Sequence, residues 1–414
     1  MAFEAQNKVA IVGVGQSQCG RRLERPVGAL AVDAALEAIA DAGLTVADID
    51  GLATYPAEVG PGVGPEPGVS SAPLDWMVDA LGIERVDWWA AAGGMILGNI
   101  STAIGNAIHA IATGSCNNVL VWRAMWQPRS GAFGSGSAKT APDNAGPKPP
   151  PKVSGAAAYT APYGATDGPT RFAPAYMRYM KLYGARREHM ATYAVTMRAN
   201  ANKNPKSVFY DKPLTFDDYM TSRMIADPMC LYDCDMPIDG AGALVLTRAD
   251  RARDLRQPPA YITAFGSGGW DWRQRPPDEY AEGTAANLGR TLWASTHLRP
   301  SDMSGAMLYD GFTPDIYWWL EGLGFCGRGE AWQFIQDGRI AVDGELPVNT
   351  FGGQVSEGRL HGIGHWLEAT RQIQGRADEH PGDGARQIAN AENILVATGM
   401  TGHGCGVILS KEPR

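Results

Sequence analysis

The chain has 414 residues, of which 44% are hydrophobic and 19% charged, so it is long enough to bury a sizeable core in one large domain or two to three smaller ones. Its net charge of -8 is spread along the sequence without a run of Lys and Arg, which argues against nucleic acid as a partner. No apolar stretch indicates a membrane span and the six cysteines are too scattered for a disulfide framework, so a cytoplasmic protein is expected.

The first 55 residues show alternating strand and helix signals. Lys8–Val14 is predicted to form a strand, and Val27–Gly43 has apolar residues at helical spacing and ends on a glycine. A turn then leads to a second predicted strand near Gly51–Tyr55. This alternation is typical of an α/β fold, in which helices cover a sheet.

One part of this pattern returns in the second half of the chain. Leu44–Tyr55 (LTVADIDGLATY) aligns without a gap with Leu298–Tyr309 (LRPSDMSGAMLY), and the alignment pairs Tyr55 with Tyr309. Such self-similarity at long range indicates an internal repeat.

A second echo follows in the same order. A predicted helix that ends at Gly114 leads to the strand Asn118–Val121, and a predicted helix that ends at Gly375 leads to the strand Asn393–Val396. Two echoes in the same order favour a chain built from two copies of one α/β unit.

An insertion separates the two copies. Residues 127–170 are dense in Gly, Pro, Ser and Ala, which cannot build a core alone, so a long loop is predicted there. Helical signals at Arg171–Tyr183 and Ala185–Asn202 and a strand signal at Ala241–Thr247 follow.

These boundaries predict two halves. The N-terminal half runs over residues 1–250 and includes the insertion at about 127–230, and the C-terminal half runs over residues 258–414.

Two short blocks in the second half are the most specific motifs. One is Tyr309-Asp310-Gly311-Phe312, and the other is the glycine-containing stretch Ser356–His365 (SEGRLHGIGH). Together with the repeat, they make the chain resemble the thiolase superfamily over essentially its whole length, in the branch of sterol-carrier-protein thiolases and lipid-transfer-protein-like steroid side-chain aldolases. The resemblance implies an α/β thiolase-like fold, with two pseudo-repeated βαβ halves in a layered α/β/α/β/α arrangement and an inserted loop region.

The resemblance also shows which catalytic groups are missing. By the family's spacing, the nucleophilic cysteine of a thiolase would fall at Leu97 or Gly98, and the second catalytic cysteine around Met400. Cys405 lies a few residues too late and is interpreted as structural. Acyl-CoA chemistry in this chain is therefore not expected to pass through a cysteine acyl-enzyme.

The same blocks imply site residues. Tyr309 stands where the steroid aldolases have a tyrosine, and Arg359 stands where thiolases have a histidine and the aldolases a second tyrosine. A retro-aldol cleavage needs a base for the hydroxyl proton and donors for the thioester oxygen. Tyr309 is the candidate base, and Arg359 is expected either to lower its pKa or to bind the thioester oxygen. Asp310 is expected to orient one of these two residues, and His361 to be a polar site residue.

Several other motifs have two interpretations. His361, His365 and Glu368 have the spacing of one helical face, which suits metal ligands, but no further ligands are evident and no metal is predicted. The aromatic segments Trp270–Pro276 and Tyr317–Leu320 suit packing or an apolar acyl pocket.

The resemblance implies a carbon–carbon lyase, a retro-aldolase that cleaves a β-hydroxyacyl-CoA such as a steroid side-chain CoA thioester in lipid and steroid degradation. The alternatives are a cysteine-independent acyl-CoA acyltransferase and a non-catalytic acyl-CoA-binding subunit. The resemblance also implies a homodimer and a small partner protein with an OB-fold and a zinc ribbon. No cofactor is expected in this chain other than the CoA of its substrate, and zinc is expected only in the partner.

Overall fold

A computed structural model describes the greater part of the chain. The described residues are 3–56, 66–93, 100–127, 158–159, 161–165, 168–269, 280–380, 382, 384–400 and 403–414. Leu97, Gly98 and the segment Trp270–Pro276 lie outside these ranges, as does most of the predicted loop at 127–170. No helix within the ranges has the length and apolar character needed to cross a membrane.

The described chain alternates strands and helices. The strands are β1 (Val9–Gln16), β2 (Gly51–Thr54), β3 (Trp88–Ala91), β4 (Asn118–Met125), β5 (Met224–Ala226), β6 (Met229–Cys230), β7 (Gly240–Arg248), β8 (Ala260–Gly269), β9 (Gly305–Leu308), β10 (Asn393–Met400) and β11 (His403–Ser410). The helices are α1 (Val27–Asp41), α2 (Leu74–Leu81), α3 (Ile100–Ala112), α4 (Gly168–Tyr183), α5 (Arg187–Ala201), α6 (Phe216–Thr221), α7 (Ala249–Ala252), α8 (Tyr280–Trp293), α9 (Asp315–Gly322), α10 (Ala331–Phe334), α11 (Gly353–Ser356) and α12 (Ile363–Gln374).

Nine strands join in the order β3-β2-β4-β7-β1-β8-β11-β10-β9. The connection in the middle is slight, since β1 and β8 pair antiparallel over only Ala10↔Tyr261 and Ile11↔Ala260. The pairing pattern is the same on the two sides of this connection. On one side, β2 is parallel to β4, and β4 is antiparallel to β7. On the other side, β9 is parallel to β10, and β10 is antiparallel to β11. The sheet therefore repeats one topology twice, as the two sequence echoes predicted.

Three hydrophobic clusters fill the space between and outside the two sheet halves. One lies between α1 and the first half, and another packs α8 and α9 on the outer face of the second half. The third contains α3 and α12, and it takes side chains from strands of both halves. This gives the layered α/β/α/β/α arrangement that the sequence predicted.

Strand β1 illustrates why both faces of a central strand must be apolar. Val9 and Ile11 point into the central cluster, whereas Ala10 and Val12 point toward α1, because successive side chains alternate between the faces of a sheet. The helix packs very close to this strand: a Cβ at Gly13 would lie 2.2 Å from the carbonyl oxygen of Ala38.

The predicted elements coincide with observed ones. The strand signal at Lys8–Val14 corresponds to β1, the helix signal at Val27–Gly43 to α1, and the strand signal near Gly51–Tyr55 to β2. The segment Tyr317–Leu320 is part of α9 and is buried, which agrees with a packing role.

Candidate functional site

Side chains from both halves meet beyond the carboxyl ends of parallel strands. Tyr55 follows β2, and Tyr309 follows β9. Parallel pairing places Thr54 opposite Trp122, so Tyr55 lies beside Arg123 of β4. The guanidinium carbon of Arg123 is 5.2 Å from the centroid of the Tyr55 ring, within the range of a cation–π contact.

A short segment before β7 links this edge to the second half. The backbone N–H of Asp235 donates to the carbonyl of Gly311 at 3.1 Å, and the N–H of Arg359 donates to the carbonyl of Met236 at 2.8 Å. These two bonds bring the Asp235 and Arg359 side chains together, with Nη1 3.1 Å from Oδ1. Their side chains are only 10% and 4% exposed, so this is a buried ion pair.

The Asp235 carboxylate lies in an unusual environment. Burial raises its pKa to about 6, and the positive charge of Arg359 opposes that rise. A carboxyl with a pKa near 6 is ionised at neutral pH and can still accept a proton there, which suits a general base.

Tyr309 is buried, and its backbone continues the β9–β10 pairing through an N–H bond of 2.9 Å to the carbonyl of Ala397. Burial, followed by the negative charge of Asp235, raises the pKa of Tyr309 well above its ordinary value. The Gln354 amide and the Arg359 charge act in the opposite direction and do not outweigh them. Arg359 therefore lowers the pKa of Tyr309, as one of its two expected roles requires, but burial and Asp235 outweigh it and Tyr309 is a neutral phenol at neutral pH.

Asp310 is fully buried and has a different role from the one expected. Its carboxylate accepts hydrogen bonds from the Tyr193 hydroxyl at 2.9 Å and from the backbone N–H of Gln354 at 2.8 Å, and it lies 3.3 Å from Nε2 of His365. None of these partners is Tyr309 or Arg359, so the expectation that Asp310 orients one of them is wrong. A Cβ at Gly353 would lie 2.0 Å from Oδ2 of Asp310, so the carboxylate packs directly under the start of α11.

His361 lies in the loop before α12, with a backbone φ of +51° that side-chain-bearing residues seldom adopt. Its Nδ1 is 3.0 Å from Nη2 of Arg123, and its ring centroid is 6.4 Å from that of Tyr55. Burial, followed by the positive charges of Arg123 and Arg359, lowers the pKa of His361 well below its ordinary value. The imidazole is therefore neutral at physiological pH.

The three residues with helical spacing do not converge. His361 precedes α12, which begins only at Ile363, whereas His365 faces Asp310 and Glu368 pairs with Arg386 at 3.0 Å. Within the described residues no group of three or more His, Cys, Asp or Glu side chains is placed to hold a metal ion.

None of the six cysteines is in a disulfide, and burial raises the thiol pKa of five of them. Burial raises the pKa of Cys19, Cys116 and Cys326 to about 12 and that of Cys405 to about 11. A thiol with such a pKa is protonated at neutral pH and is a weak nucleophile. This agrees with a structural role for Cys405 and disfavours a cysteine-dependent acyl transfer.

The structure thus brings Tyr309, Arg359 and His361 to one site. Asp310 lies outside this site and contacts Tyr193, Gln354 and His365 instead. It adds three residues that the sequence did not single out: Asp235, Arg123 and Tyr55. For Tyr55 a signal existed, because the internal repeat pairs it with Tyr309 and so places it at the equivalent strand end. Arg123 and Asp235 carry no comparable local signal.

Comparison with known proteins agrees with this architecture. Residues 274–411 match a family described as thiolase C-terminal domain-like. The chain is 35% identical to the 17-hydroxy-3-oxo-4-pregnene-20-carboxyl-CoA lyase of Mycobacterium tuberculosis over 97% of its own length and 99% of that protein. It is 36% identical to the steroid side-chain-cleaving aldolase of Thermomonospora curvata over 97% and 98% of the two chains.

A solved structure gives the same result. The Ltp2-ChsH2(DUF35) aldolase superimposes with a TM-score of 0.83 at 33% identity and covers 98% of both chains. These matches confirm the resemblance on which the motif interpretation depended. The chain therefore belongs to the thiolase superfamily, in the branch of these steroid side-chain aldolases, and is a carbon–carbon lyase.

Proposed function

We propose that this lyase cleaves the Cα–Cβ bond of a β-hydroxyacyl-CoA thioester by a retro-aldol reaction. The products are a ketone or aldehyde and a shortened acyl-CoA. The observation that carries the proposal is the buried Asp235 carboxylate, which Arg359 contacts at 3.1 Å and whose negative charge acts on the neutral phenol of Tyr309.

The proton of the β-hydroxyl needs an acceptor as the bond breaks. Tyr309 is a poor acceptor on its own because its pKa is raised by burial and by Asp235. We propose that the Tyr309 hydroxyl contacts the substrate hydroxyl and that Asp235 is the proton acceptor, since a carboxylate with a pKa near 6 is both ionised and basic at neutral pH. Arg359 holds that carboxylate in place at 3.1 Å and favours its ionised form.

We propose that the acyl group is a steroid-like side chain. The support comes from the relatives, which are named as a pregnene-20-carboxyl-CoA lyase and a steroid side-chain-cleaving aldolase and which match this chain over nearly its full length. The alternative of a cysteine-independent acyltransferase has no observation of comparable specificity in its favour.

A small partner protein belongs to the same proposal. The similar solved structure is named for two components, Ltp2 and ChsH2(DUF35), which supports an equivalent OB-fold and zinc-ribbon partner for this chain. A retro-aldol reaction moves electrons within the substrate, so we propose no cofactor in this chain beyond the CoA of the substrate, with zinc only in the partner. None of the six cysteines is in a disulfide, which supports the proposal of a reducing, cytoplasmic location.

We propose that two copies of the chain associate through strand β3. This strand ends the sheet order and pairs only with β2 among the described residues. Its sequence, Trp-Trp-Ala-Ala, has none of the charged residues or prolines that protect exposed sheet edges, and Trp89 is 67% exposed. A second copy of β3 would cover this edge.

The test is to incubate the purified chain with β-hydroxyacyl-CoA thioesters that carry steroid or simple alkyl side chains, with and without the partner protein. Mass spectrometry is expected to detect a carbonyl product and a shortened acyl-CoA in equal amounts, most rapidly with the steroid substrate. A Tyr309→Phe variant is the matched control, because it removes one oxygen, and it is expected to lose about 10²–10⁴-fold in kcat. Release of free CoA without carbon–carbon cleavage would contradict the proposal.

A further inference from the structure

Arg123 and His361 form a contact between the two halves that the proton-transfer step does not use. Arg123 extends from the end of β4, and His361 lies 238 residues later in the loop before α12. Nη2 of Arg123 is 3.0 Å from Nδ1 of His361. A guanidinium can only donate hydrogen bonds, so Nδ1 must be the acceptor in this contact.

This contact fixes the tautomer of the imidazole. The pKa of His361 is lowered well below its ordinary value by burial and by the two arginines, so the ring carries one proton. With Nδ1 accepting from Arg123, that proton is on Nε2, and His361 presents an N–H donor on the side away from Arg123.

The backbone of His361 adds an independent observation. A φ of +51° at a residue with a large side chain is a strained conformation, and such conformations concentrate at functional sites. The loop reaches it between Gly358 at +139° and Gly362 at +94°, residues that accept positive φ readily. The unfavourable backbone conformation of His361 is therefore retained in the fold, and it places the imidazole in contact with Arg123.

The two arginines of the site differ in their partners. Arg359 forms an ion pair with Asp235, which largely offsets its charge. Arg123 forms no ion pair with a carboxylate of the described residues; its guanidinium donates to the carbonyl of Ala124 and to His361. Burial lowers the pKa of Arg123 to about 10, so it is still charged at neutral pH. A desolvated cation that donates to Nδ1 polarises the imidazole, which makes its Nε2–H a stronger donor to a negative oxygen.

We infer that His361 and Arg123 form the oxyanion site of the lyase, with Nε2–H of His361 donating to the thioester carbonyl oxygen of the substrate and Arg123, on the Nδ1 side of the ring, fixing that tautomer and polarising the imidazole. As the Cα–Cβ bond breaks, its electron pair forms the C=C bond of an enolate and the negative charge moves to that oxygen. The β-hydroxyl proton passes to Asp235, and Asp235 then returns a proton to Cα of the enolate, which gives the shortened acyl-CoA and restores the ionised carboxylate. This inference rests on the proposed retro-aldol function and assigns the donors it requires.

The first experiment uses the product side of the reaction alone. The wild-type chain, with its partner where one is required, is incubated with acetyl-CoA or propionyl-CoA in D2O, and exchange of the Cα hydrogens is followed by mass spectrometry. Arg123→Met is expected to slow exchange and to lower kcat for cleavage by about 10²–10³-fold with little change in KM. Arg123→Lys, which keeps a charge, is expected to recover part of both rates.

The paired variants His361→Gln and His361→Asn separate the donor from the backbone. Asn tolerates the positive φ better but is too short to reach the position of Nε2, whereas Gln reaches it. We expect Gln to retain more exchange activity than Asn. Exchange and cleavage by Arg123→Met within about twofold of wild type, in a variant with unchanged circular dichroism, would overturn the inference.

A spectroscopic readout does not depend on turnover. In ¹⁵N NMR of the histidine side chains, the His361 resonances are assigned by their loss in His361→Gln. We expect an unprotonated Nδ1 and a protonated Nε2 in wild type, and a changed Nδ1 shift in Arg123→Met. A protonated Nδ1 would overturn the inference, even if cleavage is observed. Absence of cleavage together with exchange that depends on Arg123 would instead contradict the proposed function and support the oxyanion site.

Discussion

At the scale of single residues, the site separates two tasks between two arginines. Arg359 is tied to the Asp235 carboxylate at 3.1 Å, whereas Arg123 is tied to a neutral imidazole at 3.0 Å. A cation beside a carboxylate favours its ionised form, and a cation without a carboxylate can stabilise charge that develops on a substrate. An arginine therefore has a different role in each place: Arg359 supports proton acceptance by Asp235, and Arg123 supports enolate formation.

The first residue-scale prediction concerns pH. Asp235 can accept the hydroxyl proton only when it is ionised, and its pKa is raised to about 6 by burial. We expect kcat/KM to fall as pH decreases through about 6, by about tenfold per pH unit below it, and to be constant between pH 7 and 9. Steady-state kinetics in overlapping buffers measures this profile.

The control for this prediction is Asp235→Asn, which keeps the shape of the side chain and removes the titration. Its kcat/KM is expected to be strongly reduced and to lack the acid limb near pH 6. Persistence of that limb in Asp235→Asn would assign it to another group.

The second residue-scale prediction concerns the ion pair itself. Arg359→Met leaves Asp235 as a buried charge without its partner, and breaking a buried pair in this way costs about 3–5 kcal/mol. The loss in the free energy of unfolding is expected at pH 8 and should be smaller at pH 5, because the carboxyl is then largely protonated. Urea unfolding at the two pH values measures it.

The double variant Asp235→Asn/Arg359→Met is the matched control for this measurement. It removes both charges, so it is expected to be more stable at pH 8 than Arg359→Met alone and to show no comparable pH dependence. Equal losses at pH 5 and pH 8 in the single variant would show that packing, rather than charge, accounts for the effect.

At the scale of elements, strand ends and their flanking loops position the chemistry. Parallel pairing brings the ends of β2 and β4 together, and the backbone bonds of Asp235 and Met236 join the segment before β7 to the loops after β9 and α11. Strand β4 thus carries Arg123, and Tyr55 and Tyr309 directly follow β2 and β9. Loop segments that are bonded across the halves carry Asp235 and Arg359. A site built in this way depends on both copies of the α/β unit.

The element-scale prediction concerns the exposed edge of β3. Trp89→Lys places a charge at the centre of an edge that is proposed to pair with a second copy, and such a charge opposes edge-to-edge association. We expect analytical ultracentrifugation to show a dimer for wild type and a monomer for Trp89→Lys. Phe216→Lys is the control, since Phe216 is also an exposed aromatic residue, at 46%, on the short helix α6. A dimer that survives Trp89→Lys would contradict the proposed interface.

At the scale of the whole molecule, the sequence predicted the fold because the evidence for it is local or repeated. Apolar spacing defines α1 from Val27 and β1 around Val9–Val14, and the gap-free match that pairs Tyr55 with Tyr309 reveals the repeat. The described strands then show the same order on both sides of the β1–β8 connection. Periodicity and repetition are properties that a single sequence displays.

The site was only partly predictable for the opposite reason. Tyr309, Arg359 and His361 lie in recognisable blocks, but Asp235 and Arg123 reach the site through pairing between distant segments, which no local pattern encodes. The spacing of His361, His365 and Glu368 suggested one helical face, but His361 is not helical. Its φ is positive, and α12 begins only at Ile363. Likewise, Asp310 adjoins Tyr309 in sequence, yet consecutive residues near a strand end point in opposite directions, and Asp310 is directed into the protein.

The last prediction concerns how the two halves unfold. The central layer, which contains α3 and α12, packs against strands of both halves, so neither half can lose its structure without exposing apolar surface of the other. We expect a single urea transition that coincides by far-UV circular dichroism and by tryptophan fluorescence. Leu30→Ala in α1 and Leu292→Ala in α8, at opposite outer layers, should each shift that whole transition by about 2–5 kcal/mol. If each variant instead shifted a separate transition, the halves would be independent folding units, and the shared central layer would contribute little to their coupling.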